Sequence, residues 1–221
     1  MNQKRVLLTT LNVFALLVLG LILQTGGAYL VNAAVKLLGE TGGSAAASQY
    51  SDYMEAIRSI EPRQAVHVVF VGPLVEELVF RLIFLRAGKK VMPFWAANLV
   101  QAALFGLYHT VTIQRIYGFL MGLVIGCVFY YCPLIYKNAH EPENTRDEEM
   151  SSKLYNLPNS LLGILITFPL HMVINTSGLY LMPLFPADIA IPAQLFIGSV
   201  CALIVAFVSY VLFRQSRRRS L

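Results

Sequence analysis

Apolar residues recur in long runs separated by short polar interruptions. Val6 to about Leu23 is apolar and can continue as one glycine-interrupted helix to Leu38. Gly39 to Pro62 is small and polar, and predicts a loop that leads into a short amphipathic helix at Tyr53–Ile60. Apolar runs then return at Gln64–Leu85, Val91–His109, Ile113–Cys132, Leu157–Ser177 and Ile191–Phe213. A bilayer core of about 30 Å takes roughly 20 helical residues to cross. The pattern therefore predicts an all-α, polytopic helical membrane protein. It has six transmembrane helices, and seven if the first segment folds back into two spans. Residues 1–63 form an N-terminal membrane helix and polar loop, and residues 64–178 a core. Residues 179–221 form a broken connector, a last membrane helix and a basic tail.

Composition agrees. Of 221 residues, 57% are hydrophobic and 13% charged, and the mean hydropathy is +0.62. The net charge of +5 is no nucleic-acid signal, because the basic residues stand at the ends of apolar runs. Lys4, Arg5, Arg86, Lys89, Lys90, Lys137, Arg146, Lys153, Arg214 and Arg217–Arg219 fall on one side of the six-helix arrangement. Lys36, Arg58, Arg63 and Arg115 fall on the other. Cytoplasmic segments carry the excess of Lys and Arg, so both termini are expected in the cytoplasm. Cys127, Cys132 and Cys201 lie in or beside apolar runs without paired spacing, and read as small core residues. The segment 137–156 holds Glu141, Glu143, Asp147, Glu148 and Glu149, and is expected as a water-exposed loop.

Within these runs a few polar residues stand out. Gly72-Pro73-Leu74-Val75-Glu76-Glu77-Leu78-Val79-Phe80-Arg81 sets two carboxylates and a guanidinium into the second run. Each charge at bilayer depth costs about 2.5–3.5 kcal/mol on insertion scales, and such residues are functional candidates by default. Glu77 and Arg81 stand at i and i+4 and can pair. Glu76 is rotated about 100° from Glu77 and lacks that partner. Pro73 distorts the turn before it, and a neighbouring group in a bundle can satisfy the carbonyl it frees. Phe105 and His109 share one face of the third helix, and His171 and Asn175 one face of the fifth. Gly118, Gly122 and Gly126 recur at every fourth position and form a ridge for close helix packing.

Glutamate, two histidines and an asparagine on three helices meet the needs of peptide hydrolysis. A carboxylate can serve as general base on water, and an imidazole can hold that water or carry the proton onward. An amide and a second imidazole can donate to the oxyanion. Glu76, His109 and His171 could alternatively hold zinc. The same residues could also serve a non-catalytic immunity or scaffold protein, or a small transporter. His67 and His140 read as incidental.

These motifs resemble those of the CPBP family of intramembrane proteases, also called Abi or CAAX-protease-like. The family includes the type II CAAX prenyl endopeptidases and bacterial proteins linked to bacteriocin processing and self-immunity. Its patterns are E-E-x-x-x-R, F-x-x-x-H and H-x-x-x-N, in that order on separate membrane helices. Here they read Glu76-Glu77-Leu78-Val79-Phe80-Arg81, Phe105 to His109 and His171 to Asn175. The resemblance spans about Gln64 to Ser177. It implies an endopeptidase in a bacterial cell membrane, with a peptide or protein tail at the bilayer as substrate and no obligatory metal. Glu76 with His109 would activate water, His171 with Asn175 would form the oxyanion hole, and Glu77, Arg81 and Phe105 would support the site. The segment 137–156 departs from the family pattern, which in many members has only a short turn there.

Overall fold

The computed structural model describes residues 3–40, 45–139, 156–181 and 189–217. Among them every regular element is helical. We label the helices α1 (Gln3–Glu40), α2 (Ala45–Arg58), α3 (62–88), α4 (Phe94–Tyr108), α5 (Thr112–Ala139), α6 (Asn159–Thr176) and α7 (Ile191–Arg217). Helix α3 is continuous but changes register: His67–Val71 and Glu77–Leu85 are π-helical, with α-helical turns before, between and after them. A π-turn, Ser177–Leu181, extends α6.

Among the described residues, four segments are long and apolar enough to cross a membrane: Leu17–Leu37, Gln114–Lys137, Asn159–Leu181 and Ile191–Val211. The chain is an integral membrane protein by this measure. Helix α3 has the length but carries the charged motif. Helix α4, with 15 residues, is about 22 Å long at 1.5 Å per residue, short of a bilayer core. The first segment is one helix, not two spans.

Helix α2 starts earlier than its apolar pattern predicts, because Ala45-Ala46-Ala47 are strong helix formers. Helix α3 begins at Pro62, whose missing N–H costs nothing in a first turn. Gln64 Oε1 accepts from the Glu61 N–H and closes that end. Of the expected polar loop, residues 137–139 belong to α5, and residues 140–155, His140 included, lie outside the described residues. Residues 182–188 of the expected connector also lie outside them.

One core cluster draws on all six long helices: Leu19, Phe80, Phe105, Met121, Ile125, Val128, Leu170, Ile174 and Val205. A second, toward the opposite end, gathers Leu85, Phe94, Ala97, Cys127, Phe129, Tyr131 and Ile164. The glycine ridge of α5 lies against α4. A Cβ at Gly122 would stand 3.0 Å from Ala102 Cα, and one at Gly126 would stand 1.9 Å from Asn98 Oδ1. Into that seam α4 sends two fully buried amides. Asn98 donates to the Leu123 carbonyl (3.0 Å), and Gln101 to the Gly122 carbonyl (2.9 Å) and to Asn98 Oδ1 (2.7 Å). The three cysteines are free, with Cys127 buried and the others half-buried. Helix α7 leaves Leu195, Phe196, Leu203, Phe207 and Tyr210 exposed, as suits a helix facing lipid.

Candidate active site

The site is built where the middle of α3 faces the middle of α6. Glu77 and Arg81 are completely buried, with Arg81 Nε 3.5 Å from Glu77 Oε2. The guanidinium lies 4.6 Å from the centre of the Phe105 ring, a cation–π contact. Its nitrogens make no hydrogen bond among the described residues. The charge therefore depends on Glu77 and the ring for compensation.

His171, buried on α6, joins the two carboxylates. Its Nδ1 is 2.9 Å from Glu77 Oε1, and its Nε2 is 3.4 Å from Glu76 Oε2. Glu76 is thus not left alone, although the helical rotation turns it away from Arg81. The two nitrogens lie on opposite sides of one imidazole, so a single ring bridges neighbouring carboxylates that point in different directions. Glu77 also lies beside the buried Thr167 hydroxyl.

Asn175, one turn further along α6, donates its Nδ2 to the Val68 carbonyl at 2.8 Å. The reason lies in α3. At the end of the first π-segment Gly72 N–H bonds to His67 O, five residues back. In that register the next bond would join residue 73 to Val68 O, and residue 73 is proline. The carbonyl is left over, and the amide of a neighbouring helix takes it, as a bundle allows. Asn175 Nδ2 carries a second hydrogen that this bond does not use.

His109 caps the end of α4 with extended backbone. Its Nδ1 is 2.9 Å from the Phe105 carbonyl. A carbonyl only accepts, so Nδ1 carries the hydrogen, and the neutral ring keeps its lone pair on Nε2. Gly118 makes room for this ring: a Cβ there would stand 3.0 Å from both Nδ1 and Cε1. Phe105 meets both histidines edge-to-face, with centroids 5.1 Å from His109 and 5.9 Å from His171.

Glu76, His109, His171 and Asn175 all line one cavity of about 860 Å³. Glu77 and Arg81 stand behind its wall. Among the described residues no three His, Cys, Asp or Glu side chains are grouped to hold a metal ion. The wall includes residues that sequence reasoning missed: Gln24 and Asn32 of α1, Tyr53 and Arg58 of α2, and Gln114 and Tyr117 of α5. Tyr117 donates its hydroxyl to Gln24 Oε1. Burial raises the pKa of Tyr53 above that of an ordinary phenol, and a hydrogen bond with Gln114 partly opposes this. His67, read from the sequence as incidental, lines the same cavity. Isolated amides in the apolar run of α1 were the available signal for Gln24 and Asn32.

A family model described as type II CAAX prenyl endopeptidase Rce1-like matches residues 60–138. This stretch is Rce1-like. It runs from the start of α3 to the end of α5, and holds Glu76, Glu77, Arg81, Phe105, His109 and the glycine ridge. The CPBP and CAAX-protease resemblance of the sequence motifs agrees with this match. His171 and Asn175 lie beyond the Rce1-like stretch, and the fold brings them against it. No curated protein and no solved structure gives a significant match.

Proposed function

We propose that the chain is a membrane-embedded endopeptidase that cleaves a membrane-associated peptide or protein tail with water activated by Glu76 and His109. The observation that carries this reading is the contact of His171 with both carboxylates, one on the cavity wall and one behind it. Glu77, neutralised by Arg81, holds the imidazole by Nδ1–H. The other nitrogen then faces Glu76 and the cavity. Two arrangements keep the four groups neutral in sum: imidazolium beside ionised Glu76, or imidazole beside protonated Glu76. They differ only in which of the two groups holds one shared proton, and a proton that moves so readily between them is what a general acid–base pair needs.

In the proposed reaction Glu76 accepts a proton from water, and the lone pair on His109 Nε2 helps hold that water. The water oxygen bonds to the peptide carbonyl carbon. The resulting oxyanion accepts from His171 Nε2–H and from the second Asn175 amide hydrogen. The proton on Glu76 then passes to the peptide nitrogen, the C–N bond breaks, and a carboxylic acid and an amine leave. No step uses a metal. The partners this reading requires are the peptide and the bilayer, without nucleic acid.

The test is proteolysis of mixed fluorogenic peptides, prenylated and unprenylated, in liposomes with and without a strong chelator. Cleavage by the wild type should survive the chelator and fall by about 10²–10⁴ in Glu76→Gln. Cleavage lost to the chelator and restored by zinc would make Glu76, His109 and His171 metal ligands. A chain indifferent to Glu76→Gln and His109→Ala in its cellular role would be a scaffold, immunity protein or transporter instead.

A further inference from the structure

The cavity occupies only one end of the bundle. Its lining residues on α3 run from His67 to Glu76 and stop there, and those on α6 start at His171 and continue to Leu179. On α5 they are the N-terminal Gln114 and Tyr117, on α4 the C-terminal Tyr108 and His109. On α1 they begin at Gln24. These helices alternate in direction, so all the lining stretches point to the same end. Glu76 and His171 form the floor at mid-helix, and α2, through Tyr53, Ile57 and Arg58, borders the mouth.

The basic residues gather at the other end. Arg86, Lys89 and Lys90 follow the last π-segment of α3, Lys137 ends α5, and Arg214 lies in the last turns of α7. Lys137 donates to the Leu157 carbonyl at the start of α6 (2.7 Å). Lys89 stands 3.6 Å above the Tyr130 ring, beside an aromatic group of Phe94, Trp95, Tyr131 and Phe213. Aromatic belts with flanking lysines mark a membrane interface, and the side richer in Lys and Arg is the cytoplasmic one. At the cavity end fewer cations occur, and two are tied to backbone carbonyls: Lys36 to Ile189 and Arg115 to His109.

We infer that the cavity opens on the non-cytoplasmic face of the membrane, so that its substrates are peptide segments presented from outside rather than tails of cytosolic proteins. This rests on the proposed peptidase for the word substrate, but the orientation stands without it. The glutamine and asparagine amides and the tyrosine phenols of the wall suit an extended peptide, whose backbone offers both donors and acceptors.

Single cysteines test the orientation. Asp52→Cys and Ser59→Cys lie on or beside α2 at the mouth, and Lys90→Cys lies at the basic end. All three positions are exposed. Each variant is treated in intact cells with a membrane-impermeant maleimide, the unsubstituted chain giving the background of the native cysteines. Labelling at 52 and 59 in intact cells, and at 90 only after lysis, is expected. The reverse pattern, or equal labelling at both ends in intact cells, would overturn the inference. Should one α2 variant fail to fold, the other gives the same information. Loss of peptidase activity in the liposome assay would sink the proposed function and leave this result unaffected.

Discussion

His171 Nδ1 lies 2.9 Å from Glu77 Oε1, and this contact separates the two neighbouring glutamates by role. In the proposed reaction Glu77 is the buried residue that positions the imidazole, and Glu76 is the carboxylate that reaches the cavity. Glu76→Gln should therefore abolish cleavage while leaving thermal unfolding nearly unchanged. Glu77→Ala should strip Arg81 of its counter-charge, and breaking one side of such a buried pair costs about 3–5 kcal/mol. Parallel melting curves and turnover in one detergent separate the two. Equal loss of stability in both variants would refute the division.

The bond from Asn175 to Val68 yields a double-mutant cycle. Asn175→Ala leaves a half-buried carbonyl at the cavity wall without its donor, at a cost near the low end of the about 1–3 kcal/mol of a fully buried group. Pro73→Ala returns a backbone N–H to the turn that freed it. Asn175→Ala should then cost less in the Pro73→Ala background than in the wild type. Additive effects on the unfolding midpoint would mean that the proline is not the cause.

The glycines of α5 should not be equivalent. Gly118→Ala puts a methyl against the His109 ring and should lower kcat with little loss of stability. Gly126→Ala drives a methyl into Asn98 Oδ1 and should weaken the α4–α5 seam itself. Turnover and melting temperature together read the contrast. Similar losses of stability at both positions would count against a specific role for Gly118.

How much of this was legible follows from what marks each feature in the chain. Charged and polar residues within apolar runs announce themselves, and Glu76, Glu77, Arg81, His109, His171 and Asn175 were all singled out that way. The ridge of Gly118, Gly122 and Gly126 was visible because its period matches one helical turn. The π-register of α3 was not, since a shift of one residue in hydrogen-bond partner leaves no mark in composition. Pro73 warned that some carbonyl would be left over, but only the register says which. The bridge by His171 was hidden for a different reason: it joins residues 94 apart in the chain, and no local period reports such a pairing. Asn98 and Gln101, three residues apart in the apolar run of α4, could have been read as interhelical fasteners.

Phe105 offers a test of the support behind the site. Its ring touches Arg81 and both histidines, so Phe105→Leu should keep most of the packing volume and lose the ring face and edges. We expect stability to fall by less than the roughly 3–5 kcal/mol of a Phe→Ala truncation, and turnover to fall more than stability accounts for. Turnover that simply tracks the folded fraction would reduce Phe105 to packing.

Helix α4 is too short to span an ordinary bilayer, and His109 stands at its end. Lipids around it must thin, or water must fill the difference, at a modest energetic cost for each ångström of mismatch. Under the proposed function, the hydration of the reaction chamber would then be set partly by the acyl chains outside it. Longer chains would dry the chamber and slow the protein, and shorter ones would flood it. Through this one helix, the composition of the membrane would become a control on the proposed chemistry.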